Sequence, residues 1–133
     1  MSEIRATTIS DAAGTGPIAL TKQSAAKSWM SLNGDTATIR DSHNVSSITD
    51  NATGNYTTNF TNSMSNTNYG VSGACCGAGS VNGSTNVLLI HSSSHGALSA
   101  PTASSFRAIC IHDSNVTKQD VDYLTLTTHG DLA

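Results

Sequence analysis

Five histidines, three cysteines and a scatter of aspartates are the residues of this chain whose side chains could do chemistry. His91 and His95 stand four apart, a spacing that suits two ligands on one helix face. Ser92, Ser93, Ser94 and Gly96 around them favour a loop instead, and the glutamate of a zinc-hydrolase helix is missing. His112 and His129 close two extended runs and could approach each other, yet a metal centre asks for three or four converging ligands. Cys75, Cys76 and Cys110 are three soft ligands without a Cys-x-x-Cys pair, so a structural zinc would need a histidine to join them. No metal or other cofactor is expected. Cys110, in an apolar run, reads as a small core residue. The odd cysteine count, two of them adjacent, fits free thiols made in a reducing cytoplasm.

Hydrolysis finds no better footing. Gly70-Val71-Ser72-Gly73-Ala74 nearly spells a nucleophile elbow, but Ala74 stands where the second glycine belongs and no helix follows. Carboxylates for glycan cleavage would come from Asp41, Asp50, Asp113, Asp120, Asp122 and Asp131. These fall in turns or near strand ends, where aspartate is favoured for hydrogen bonding to backbone. A non-enzymatic protein is expected. Its candidate contact residues are His91, Ser93, His95 and Ser99, on a polar loop over 91–105 whose hydroxyl and imidazole groups suit shallow recognition of a glycan or cell-surface polymer. The loop over 73–86, rich in glycine and small residues, is a second such display segment.

The elements that must carry these loops are strands. Residues 37–74 alternate short apolar runs with Asn, Gly and Asp turns, which predicts an antiparallel unit with strands at 36–40, 44–49, 56–61 and 69–74 in a β-meander. Tyr56, Thr58 and Phe60 share one face; residues 51–55 make a hairpin turn. The run Val87-Leu88-Leu89-Ile90 predicts a central buried strand. Residues 106–112 and 123–128 are the last strands, with apolar residues on both faces as if meeting a neighbouring subunit. The one plausible helix covers 21–30, capped by Thr21, with an irregular link as the alternative. Trp29 is read as a core or subunit-contact anchor, with exposed sugar stacking as the other possibility. Two short extended runs, 4–9 and 17–20, flank the turn at 14–17 and are expected to pack on another chain.

Composition sets the limits. The chain has 133 residues, 37% of them hydrophobic and 5% aromatic, and 38 are Ser or Thr. That supplies one domain with a thin core, for which burial between subunits would compensate. With a net charge of −3 and no basic stripe, nucleic acid is not an expected partner. Nothing resembles a signal peptide, and no run approaches the roughly 18–20 apolar residues that cross a bilayer. Six Asn-x-Ser/Thr triplets, among them those at Asn44, Asn51, Asn55 and Asn59, follow from the abundance of these residues.

Residues 7–74 carry longer motifs: TISD, a TGP turn, LTKQSAAK before Trp29, Asn33-Gly34, then IRDS, NVSSITDN, NFT and NYGV. Together they resemble a module of tail-fibre-like proteins of tailed bacteriophages; FRAICIHDSNVTKQDVDYLTLTTHG resembles its closing strands more loosely, and 75–105 do not carry the pattern. The resemblance covers about two thirds of the chain. It implies an all-β, antiparallel β-sandwich knob, jelly-roll-like and homotrimeric, made in the host bacterial cytoplasm and displayed on a virion, on a tail fibre or the head surface. Residues 1–30 would be the extended attachment and trimerisation segment, bound to another tail or capsid protein, and 31–133 the knob. The function it implies is a tail-fibre or tip component taking part in host adsorption; the alternative is a capsid decoration or head fibre.

Overall fold

The structure, a computed structural model, describes residues 25–77, 86–94, 97–112 and 117–133. Every element among them is a strand, and all strand pairing is antiparallel. One sheet contains β1 (Ser28–Asn33), β2 (Thr38–His43), β5 (Gly70–Cys76) and β10 (Tyr123–His129), in the order β2-β1-β10-β5. The other contains β3 (Val45–Ala52), β4 (Asn55–Phe60), β6 (Asn86–Ile90) and β9 (Ser105–His112), in the order β3-β4-β9-β6. Between β6 and β9 the chain forms a small hairpin of β7 (Ser92–Ser94) and β8 (Ala97–Leu98).

The inward residues follow from alternation at period two. Met30 and Leu32 of β1, Tyr56 and Phe60 of β4, Phe106, Ala108 and Cys110 of β9, and Leu124 and Leu126 of β10 form one buried cluster between the sheets. Thr58 joins the layers by directing its hydroxyl to the Met30 sulfur, 3.9 Å away. Two apolar faces stacked in this way make an antiparallel β-sandwich.

Several sequence expectations change. Residues 28–30 are strand, not helix: Ser28, Met30 and Leu32 are buried while Trp29 points out, and pairing with β2 and β10 outweighs the modest helix propensity of the preceding alanines. The sandwich therefore begins before residue 31, and Trp29, 38% exposed, lies outside the core. The run 87–90 is an edge strand rather than a central one. The supposed meander is divided between the sheets. At the β2–β3 corner Asn44 adopts φ 55°, and its side chain bonds the Lys27 and Asn62 carbonyls and the Asn62 amide, turning the chain from one layer to the other. The β1–β2, β3–β4 and β6–β9 connections stay within a sheet, so this is not the jelly-roll routing, which alternates between sheets. Residues 73–76 continue β5, and the polar loop over 91–105 carries β7 and β8. The predicted runs at 4–9 and 17–20, and His95, lie outside the described residues.

Candidate functional site

The connection from β6 to β9 is built as a displayed hairpin. His91, at φ 57°, breaks the line of β6; its amide donates to the Arg107 carbonyl at 2.7 Å and its carbonyl accepts from the Ser99 amide at 2.7 Å. These two bonds pinch the base of the excursion. Ser92 tightens it by donating its hydroxyl to the Ser94 and Ala97 carbonyls at 2.6 and 3.1 Å. The hairpin is held down at the Ser93 carbonyl, which accepts from Asn55 Nδ2 and Lys118 Nζ, each at 3.1 Å. Arg107 Nε in turn fixes Asn55 through its Oδ1 at 2.7 Å. Beneath β7, Ile109 is fully buried although it points away from the sandwich interior.

Beside this hairpin lies an open depression of about 430 Å³, lined by Leu88, Leu89, Ile90, His91, Ser92, Ala97 and Leu98. Its size falls within the range of small-ligand sites, and aliphatic walls with a few polar groups are the usual lining. Leu98 stands on its rim 81% exposed.

The sequence-predicted contact residues divide by role. His91 lines the depression, packed edge-on against Tyr69 and Phe106 at ring separations of 6.1 and 6.2 Å, with Nδ1 buried and without a hydrogen-bond partner. Ser93 and Ser99 act through backbone groups that fasten the hairpin. Leu98 is the residue that serine and histidine chemistry did not point to; a lone leucine in a polar stretch was the available signal.

Burial pulls the His91 pKa below the ordinary histidine value of 6.5, favouring the neutral ring. Below about pH 6.5 the unfolded chain binds more protons at this residue than the folded one. The stabilising contribution is therefore full above that pH and is lost as pH falls through the lower folded-state value. A His91→Phe variant, which retains an aromatic wall without the titration, is expected to lose less melting temperature than the parent between pH 8 and pH 5. Equal losses would remove His91 from the acid response.

A second surface is the outer face of the first sheet. Trp29 pairs with His43 and Thr127 across the strands, and Tyr123, 51% exposed, lies at the far end of β10 with the Arg40 guanidinium 4.0 Å above its ring. Arg40 is held there by the Leu32 and Asp122 carbonyls.

Three of the carboxylates are otherwise engaged. Asp120 accepts from the Gly54 amide and the Tyr56 hydroxyl, joining distant segments rather than capping a local turn. Asp35 is hydrogen-bonded directly to Asp122, which raises its pKa, with partial desolvation and the neighbouring charge adding to the effect. Ser72 lies within β5 opposite Thr127, on no turn. Among the described residues no group of three or more His, Cys, Asp or Glu converges to hold a metal, and no helix is long and apolar enough to cross a membrane. Compared with known protein families, curated proteins and solved structures, the chain finds no match.

Proposed function

We propose that this chain is a non-enzymatic virion protein of a tailed phage, a fibre or tip component that takes part in adsorption to the host surface. The observation that carries the reading is the β7–β8 hairpin, a projection fastened at its base by hydrogen bonds, which holds exposed Leu98 beside an open apolar depression. Anchored loops on a stiff scaffold suit recognition, because little ordering is left to be lost on contact. The tail-fibre resemblance of residues 7–74 supports the particle assignment. In this reading the chain is a homotrimer, the segment preceding β1 attaches it to another virion protein, and the ligand is a glycan or polymer of the cell surface.

The contact is tested at Leu98. Leu98→Asp places a charge on a side chain that is 81% exposed, so melting temperature and oligomer mass should be unchanged. Adsorption of the protein to host cells is expected to fall by about tenfold or more, the loss of roughly 1.4 kcal/mol of apolar contact. Undiminished adsorption would defeat the assignment. The alternative reading, a capsid decoration or head fibre, is favoured by the Trp29–Tyr123 face, which suits a broad contact with another protein. Copy number separates the two: a few dozen or fewer for a tail component, a count scaling with the capsid lattice for a decoration.

A further inference from the structure

Cys75 and Cys110 lie on opposite layers of the sandwich and meet inside it. Cys75 is on β5, beside fully buried Leu124. Cys110 is on β9, beside Leu88 of β6, and is itself fully buried. The approach of these strands is set two residues earlier on β5. A Cβ at Gly73 would collide with the Thr125 carbonyl oxygen and stand 2.7 Å from Leu126 Cδ2, both of neighbouring β10, and 3.2 Å from Leu88 Cδ2 of the second sheet, so glycine lets β5 lie close to both. Cys75, next on the same face, packs against the cluster that contains Cys110, and the two thiols are hydrogen-bonded. Cys76 points the other way and is exposed, as expected for neighbours in an extended strand.

We propose that Cys75 and Cys110 are a disulfide-forming pair, joined by a peroxide-class oxidant into a covalent tie between the two sheets. Cys75 is the attacking sulfur: it is only partly buried, and the hydrogen bond from Cys110 lowers its pKa, favouring thiolate. The thiolate attacks one oxygen of hydrogen peroxide and the O–O bond breaks. Hydroxide leaves, takes up the proton released by Cys75 and becomes water, while the sulfur becomes a sulfenic acid. Cys110 sulfur then attacks Cys75 sulfur, the S–O bond breaks, and the oxygen leaves as a second water carrying the Cys110 proton. Two electrons pass from the thiol pair to the peroxide, and two thiols become one disulfide. A protein made reduced would acquire this tie on meeting an oxidising exterior. The inference is independent of the adsorption reading.

The test is peroxide treatment of the full chain followed by non-reducing peptide mapping and thiol titration. Free thiols are expected to fall from three to one, with Cys75 and Cys110 linked in one peptide pair. The melting temperature should rise by about 5–10 °C, because the bond closes a loop of roughly 35 residues, and a dithiol should reverse the rise. Cys76→Ser should behave as the parent does, falling from two thiols to none. Cys110→Ser should stop at a sulfenic acid on Cys75 that a dimedone probe captures. Three thiols surviving treatment, a Cys75–Cys76 link, or only Cys76-linked dimers would each overturn the proposal, and the parent and Cys76→Ser results decide it even if Cys110→Ser does not fold.

Discussion

Phe106→Ala is expected to lower the folding free energy by about 3–5 kcal/mol, the cost of emptying a large aromatic site that cannot collapse. Phe106 is 2% exposed and sits among Phe60, His91 and Tyr69 at ring separations of 5.7, 6.2 and 6.4 Å. Tyr69 is tied in place by its hydroxyl, which donates to the Thr102 and Ser105 carbonyls at 2.8 and 2.9 Å, so it cannot swing into the vacancy. The edge-to-face contacts add about 0.5–1.5 kcal/mol each beyond the area buried. Because His91 stands on this cluster and also pinches the base of the β7–β8 hairpin, the damage should not be uniform. The Ser99 amide, bonded to the His91 carbonyl, is expected to gain exchange rate by a larger factor than amides of β10. A urea midpoint that falls without a change in slope would report the global loss. A cost under about 1 kcal/mol would show that the ring is not the support described.

Much of this support was legible in the sequence, for reasons that are local. Tyr56, Thr58 and Phe60 alternate with polar neighbours, and they face the core. Residues 106–112 carry apolar side chains on both faces, and both are buried. The second face, though, is covered by the chain's own hairpin: β7 lies against β9, so Ile109 needs no neighbouring subunit to leave water. Residues 87–90 misled for the same reason. A continuous apolar run fits a central strand, yet here β6 is an edge, with Leu88 and Ile90 against the core and Leu89 lining the depression outside. Two-sided apolarity reports two covered faces and does not say which strands lie alongside.

What could not be read was long-range pairing. β1 is a strand because it lies between β2 and β10, the latter about a hundred residues away, and nothing in residues 21–30 encodes that partner. Weak local preference was overruled by packing, as is usual for short segments. The candidate site shows the same division. The sequence marked out the Ser- and His-rich stretch, but the Ser93 and His91 carbonyls that fasten it are backbone atoms, which any residue would supply. Side-chain type could point to the display loop and not to how it is held.

Gly54→Ala tests the other end of the sandwich, where a comparable cost of about 3 kcal/mol or more is expected from backbone conflict rather than from a cavity. Thr53 and Gly54 form the two-residue turn between β3 and β4, with Gly54 at φ +61°. A Cβ there would stand 2.5 Å from both the amide nitrogen and the carbonyl oxygen of Gln119, and 2.7 Å from the Cys110 carbonyl. All three are main-chain atoms, so no rotamer change relieves the clash. The turn cannot retreat either. Its carbonyl accepts from the Cys110 amide at 2.8 Å, and its amide donates to Asp120 Oδ1 at 2.6 Å, which also accepts from the Tyr56 hydroxyl at 2.8 Å. Asp120→Asn keeps an acceptor at that point and should cost about 1 kcal/mol. Asp120→Ala strands the Gly54 amide, while the Tyr56 hydroxyl keeps the Gly34 carbonyl at 3.0 Å, and should cost about 1–3 kcal/mol. Gly70→Ala is the control: it has open space around its Cβ position and should change stability by less than about 0.5 kcal/mol. Chemical denaturation of the four variants gives the ranking directly. If Gly54→Ala proved as mild as Gly70→Ala, the β3–β4 turn could not be wedged against the 118–120 segment, and the link from Asp120 to Tyr56 would lose its role in closing this end of the core.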